Sequence, residues 1–211
     1  MTNLRNLLAS LMLVTACATG SMHPAKPVPQ QTQIDRAQLR AKLAARRQVV
    51  LERFLAYRDA RVYPVNNLLP GGGQQHVWLD EYGNLCAAAT LISGDWGRDV
   101  TIRIGQTDNQ LKLADVKTGP VADWILTSGL THHEIVAIQV PGDDMFRRTI
   151  QTPEEIERLY QIYVDVERQL RGLADESLDA AVDALMKRPE LARQMLYDRI
   201  ASPGPFAQPI G

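Results

Sequence analysis

The tightest constraint on this chain is an apolar stripe that repeats down one side of a single long helical segment. Thr152-Pro153-Glu154-Glu155 combines an N-cap residue, a proline at the first helical position and a glutamate three residues past the cap, three start signals that coincide. Ile156, Leu159, Tyr163, Val166 and Leu170 follow at spacings of 3, 4, 3 and 4 until Gly172 interrupts them. Such a narrow seam is buried by another helix lying along it. The candidate partner covers residues 35–60, opened by Asp35 as N-cap, where Leu39, Leu43, Val50, Phe54 and Tyr57 recur at helical spacing without Pro or Gly. This stretch is basic: Arg36, Arg40, Lys42, Arg46, Arg47, Arg53, Arg58 and the adjoining Arg61 face only Asp35, Glu52 and Asp59. The later helix is slightly acidic, so the two are expected to pair. Two shorter helices follow, one marked by Leu178, Ala181, Val182 and Leu185, the other started by Pro189 and carrying Leu191, Met195 and Ile200.

The middle of the chain is less regular. Residues 63–75 read as a loop containing Pro64, Pro70 and three consecutive glycines. Residues 76–80, a Tyr82-Gly83-Asn84 turn and residues 85–92 suit a β-hairpin, although residues 86–92 (CAAATLI) equally suit a short buried helix. Residues 100–104 and 111–113 alternate like strands around a Thr107-Asp108-Asn109 turn. Gly119-Pro120 opens a short helix to Thr127 that Gly129 closes, and Thr131-His132-His133-Glu134 is a capping box for another through Gln139. The fold expected is mostly α, with two long N- and C-terminal helices packed around a compact middle segment of short helices and a possible small β-hairpin. It forms a single domain over residues 34–201, followed by a loose tail, 202–211, with three prolines and two glycines.

The N-terminal segment carries an address. Arg5 precedes the uncharged apolar run of residues 7–14, which ends in Val14-Thr15-Ala16-Cys17. A basic start, a short apolar core and a small-residue cleavage site mark a secretory signal, and the core is shorter than the roughly 20 residues a membrane-spanning helix needs. Val-Thr-Ala-Cys resembles the lipobox of bacterial lipoproteins. That resemblance covers residues 1–17. It implies a signal peptide over residues 1–16, cleavage before Cys17, a diacylglyceryl thioether on its sulfur and a fatty acyl group such as palmitate on the new amino terminus. Ala18, rather than Asp, after the cysteine implies the outer membrane of the cell envelope. An ordinary secretory signal that happens to hold a cysteine is the alternative. Residues 17–33 would then be a Pro-rich tether reaching up to roughly 50 Å. The segment from Asp80 through Cys86 to Ser128-Gly129-Leu130-Thr131 resembles parts of uncharacterised bacterial proteins without a named family.

Candidate chemistry is sparse. His133-Glu134 begins like a zincin helix, but Ala137 stands where the second histidine ligand belongs, and His132 points about 100° away. A capped helix start with two exposed histidines is the plainer reading, and no metal or cofactor is expected. Cys86, the sole thiol besides Cys17, is a candidate nucleophile with His132 or His133 as base; its apolar neighbours suggest a buried structural residue instead. Residues 120–139 lack the basic second helix that DNA recognition by a helix-turn-helix requires, and a whole-chain net charge of −1 gives nucleic acid no foothold. Gly71-Gly72-Gly73 lacks the Lys-Ser/Thr of a phosphate loop, and Asp80-Glu81 and Asp143-Asp144 are too short for a calcium loop. The expected function is a non-enzymatic, membrane-anchored module that engages an envelope protein, its oligomeric state open. The alternative is a thiol-dependent hydrolase or transferase using Cys86, and a third option is a small-ligand carrier.

Overall fold

The computed structural model describes residues 33–65, 67–68, 74–140 and 152–197, and its described elements lie in one unit, Ile34–Gly211. The described residues are mostly helical. Helix α1 (Arg36–Ala60) starts where the Asp35 carboxylate accepts the backbone N–H groups of Ala37 and Gln38, satisfying two of the donors a helix leaves open at its start. Then come α2 (Ala87–Trp96), α3 (Arg98–Thr107), a 3-10 turn (Leu113–Asp115), α4 (Pro120–Thr127) and α5 (His132–Gln139). Helices α6 (Pro153–Gly172), α7 (Ala174–Met186) and α8 (Pro189–Leu196) complete the described order. The only paired strands among the described residues are β1 (Asn67–Leu68) and β2 (Gln74–Gln75), two residues each and antiparallel.

Helix α1 runs through two hydrophobic cores. Its second half sends Val50, Phe54 and Tyr57 into the larger one, with Trp78, the apolar face of α2, Ile135 and Ile138 of α5, and Leu159, Tyr163, Val166 and Leu170 of α6. Tyr163 sits at the centre of an aromatic group, its ring centroid 5.4 Å from Tyr63, 5.5 Å from Tyr57 and 5.8 Å from Phe54. Rings at such spacings add roughly 0.5–1.5 kcal/mol per pair beyond the area they bury. The first half of α1 buries Leu39 and Leu43 against Leu178, Val182 and Leu185 of α7 and Ala192 and Met195 of α8. The α6 seam therefore does not extend along all of α1, because α7 and α8 cover the other half.

Of the two readings open for residues 86–92, the structure shows the short buried helix, and the hairpin shrinks to a single bridge. Leu79 and Leu85 form an isolated antiparallel bridge, and the chain turns helical at Ala87. The extended segment around Trp78 finds other partners: Trp78 N–H donates to the Asn109 carbonyl, and the Asn109 side chain pairs in both directions with the Leu79 backbone. Asp80, from the acidic pair too short for a calcium loop, is buried and staples the turn by accepting the N–H groups of Val65, Tyr82 and Asn84. The expected strand at residues 100–104 is α3, and that at 111–113 runs into the 3-10 turn. Val-Thr-Ile-Arg-Ile is too short to separate the two periods: Val100 and Ile104 share a helical face as well as a strand face, and burial against Trp78, whose indole donates to the Thr101 carbonyl, selects the helix.

Candidate functional site

Cys86 lies at the start of α2, where its sulfur accepts the Ala89 N–H at 3.5 Å. It is 1% exposed, and burial pushes its thiol up to about 12 against the lowering effect of the neighbouring backbone N–H groups. Neither histidine hydrogen-bonds it. His132 is half-buried rather than exposed, with Nε2 at 2.6 Å from the Leu113 carbonyl, while His133 is exposed. The structure thus leaves Cys86, His132 and His133 unassembled. Thr131 and Glu134 do form the reciprocal capping box of α5. Among the described residues no group of three or more His, Cys, Asp or Glu converges to hold a metal, and no helix is long and apolar enough to cross a membrane. Cys17, the Gly71-Gly72-Gly73 run, Asp143 and Asp144 lie outside the described residues, as does the tail at 202–211.

The chemistry-bearing groups that do converge come from the basic face of α1. Arg58 pairs with Glu167 and Arg61 with Glu157, joining α1 to α6; Arg36 reaches Asp183, and Arg40 reaches Asp175 and Asp179, on α7. Two deeper clusters remain. In the first, Arg47 meets Glu134 through two hydrogen bonds of 2.7 and 3.0 Å and also donates to the carbonyls of Gly129 and Leu170. Burial pushes the Glu134 carboxyl up, but the bonds from Arg47 and the Thr131 N–H outweigh it and hold the group below its ordinary value of 4.5. Gly129, at φ +79°, permits this: a Cβ there would lie 2.2 Å from the Leu43 carbonyl oxygen, so the turn rests directly on the α1 backbone.

In the second cluster Asp95 of α2 is shared. Arg53 donates to it at 2.7 Å, the Trp124 indole N–H at 2.7 Å, and Arg46 pairs with it from one side. Two guanidiniums thus share one carboxylate. Arg46 is pushed down to about 10, first by burial and then by the like charge of Arg53, and burial also lowers Arg53. Arg53 lies flat on α2 because residue 94 is glycine; a Cβ there would fall 2.6 Å from its guanidinium carbon. Beside this cluster a cleft of about 490 Å³ opens between α1, the turn at residues 83–85, α2 and the start of α3. Arg53 and Arg98 line it with Ser93, Thr90, Asn84 and Tyr57. Sequence reasoning merged Arg46 and Arg53 into one basic stretch and did not single out Arg98. A usable signal was present: Arg46 and Arg53 stand seven residues apart, two turns along one face, and Gly94-Asp95 interrupts an apolar helix.

No protein-family model, curated protein or solved structure matches this chain.

Proposed function

We propose that this chain is a lipid-anchored module of the bacterial cell envelope, fastened to the outer membrane through acylated Cys17 and acting by binding rather than by covalent catalysis. The observation that carries the reading is Val14-Thr15-Ala16-Cys17 at the end of an uncharged apolar run. Two or more acyl chains hold a protein firmly, where one binds only marginally. In this reading α1 and α6 clasp the short helices of the middle segment, and the Pro-rich residues 17–33 carry the resulting body away from the lipid toward an envelope protein. The ion pairs Arg58–Glu167 and Arg61–Glu157 support the clasp. The alternative, a thiol-dependent hydrolase or transferase at Cys86, has against it a sulfur that is buried, raised in pKa and not hydrogen-bonded by a histidine.

Intact-mass measurement of the protein recovered from bacterial membranes tests the anchor. The expected product begins at residue 17 and carries fatty acyl mass, while Cys17→Ser leaves a folded protein that no longer fractionates with membranes. A processed chain without acyl mass, or an uncleaved chain in the cytosol, overturns the reading. Crosslinking in intact envelopes should then capture a protein partner from the anchored form and lose it on Cys17→Ser.

A further inference from the structure

We propose that the cleft between α1 and α2 binds a small organic anion with an apolar body, its negative group held by the guanidiniums of Arg53 and Arg98. The inference does not rest on the membrane anchor. A volume of about 490 Å³ lies within the range of roughly 300–1,000 Å³ typical of small-molecule sites. Its lining holds two guanidiniums and no carboxylate.

Both guanidiniums have donors to spare. Nη1 of Arg53 is committed to Asp95 and the Leu91 carbonyl, whereas its Nε and Nη2 have no hydrogen-bond partner among the described residues. Nη2 of Arg98 donates to the Gly83 carbonyl, leaving its Nε and Nη1 in the same condition. The Ser93 hydroxyl on the same wall also lacks a partner among the described residues. Behind them, Asp95 is divided between Arg46 and Arg53, so that group carries one positive charge in excess. Planar forks with open N–H groups match the oxygens of a carboxylate, sulfonate or phosphate. The rest of the cleft argues for more than a bare ion. Ala56, Ala60, Val62 and Leu85 form an apolar wall, and Val62 is 53% exposed, an apolar surface that a ligand's hydrocarbon would cover.

The test uses the full chain carrying Cys17→Ser, which takes no lipid and needs no detergent. Fluorescence titration with anilinonaphthalene sulfonate, an aromatic anion, should give saturable one-to-one binding that decanoate displaces and inorganic phosphate at the same concentration does not. Arg98→Gln removes an exposed charge and should weaken binding by about tenfold, the scale of one charge-assisted hydrogen bond. Gly94→Ala keeps both charges and favours the helix, yet its methyl group displaces the Arg53 guanidinium, so it too should weaken binding. Unchanged circular dichroism and thermal midpoint in Arg98→Gln exclude unfolding as the cause. Non-saturable binding, equal binding of uncharged phenylnaphthylamine, or wild-type affinity in both variants overturns the proposal. Displacement by phosphate as effective as by decanoate would reduce the site to one for free inorganic anions and overturn the apolar half.

Discussion

Arg46 and Arg47 are consecutive on α1 and enter two differently built sites. Arg47 faces one carboxylate that it alone neutralises, spends its other two Nη donors on two carbonyls, keeps only a buried Nε–H without a partner, and is sealed beneath a glycine turn. Arg46 shares its carboxylate with Arg53, and this group borders a cleft where donors remain open. The first is balanced in charge and nearly saturated in hydrogen bonds, with no capacity left for a ligand. The second carries surplus charge, which water or an anion must answer. Charge stoichiometry and access, more than the residue types, separate an architectural ion pair from a candidate binding group.

The largest effect should come from breaking the balanced pair. Arg47→Met strands a buried carboxylate and should cost about 3–5 kcal/mol in denaturant unfolding. Arg47→Met combined with Glu134→Leu should recover most of that loss, since replacing both members of a buried pair is often neutral. If the single and double variants are equally unstable, the site is not the isolated pair described here.

Acid sharpens the comparison next. Because Glu134 is held below 4.5, its stabilisation is present above that pH and is lost as pH falls through the lower folded value; the double variant should lack this segment of the stability profile. Buried His76 contributes at higher pH. Burial lowers it from 6.5 to about 4, so the unfolded chain takes up a proton that the native chain refuses, and stability falls between those values by roughly 3 kcal/mol. His76→Phe should flatten that window and leave the Glu134 segment in place, as read by unfolding midpoints across pH.

Smaller effects are expected at the shared carboxylate. Asp95→Ala removes the acceptor of two guanidiniums and an indole and should cost about 1–3 kcal/mol, while tightening anion binding in the cleft. Glu134→Gln should leave anion binding unchanged. Equal effects of these two substitutions on binding would erase the distinction between the sites. The smallest change belongs to the exposed Arg36–Asp183 pair, where Arg36→Ala should leave the denaturation midpoint within error.

The helices at α1, α4, α5, α6, α7 and α8 were legible because their start signals and spacing are local. Asp35, Thr131 and Thr152 cap the helices their side chains predict, and Pro120, Pro153 and Pro189 stand at first helical turns. The buried helix at 86–92 was one of two readings left open, and residues 76–85 and 100–113 were misread, since five alternating residues satisfy either period and Asn109, thirty residues beyond Leu79, supplies the backbone partners a neighbouring strand would have given. The basic face of α1 was visible as composition, yet its division among α2, α5, α6 and α7 was not.

What the sequence determined by itself is whatever its neighbours within a few residues can enforce: helix starts and stops, apolar faces and the net charge of each segment. The apolar neighbours of Cys86 already pointed to its burial; tertiary structure alone decided that neither His132 nor His133 hydrogen-bonds it, that Glu134 rather than an acid on α6 neutralises Arg47, and that Asp95 answers two arginines beside an open cleft. The reason is physical. A charge pairs by distance and desolvation across the fold, and both are set only once α1 has been packed against its partners.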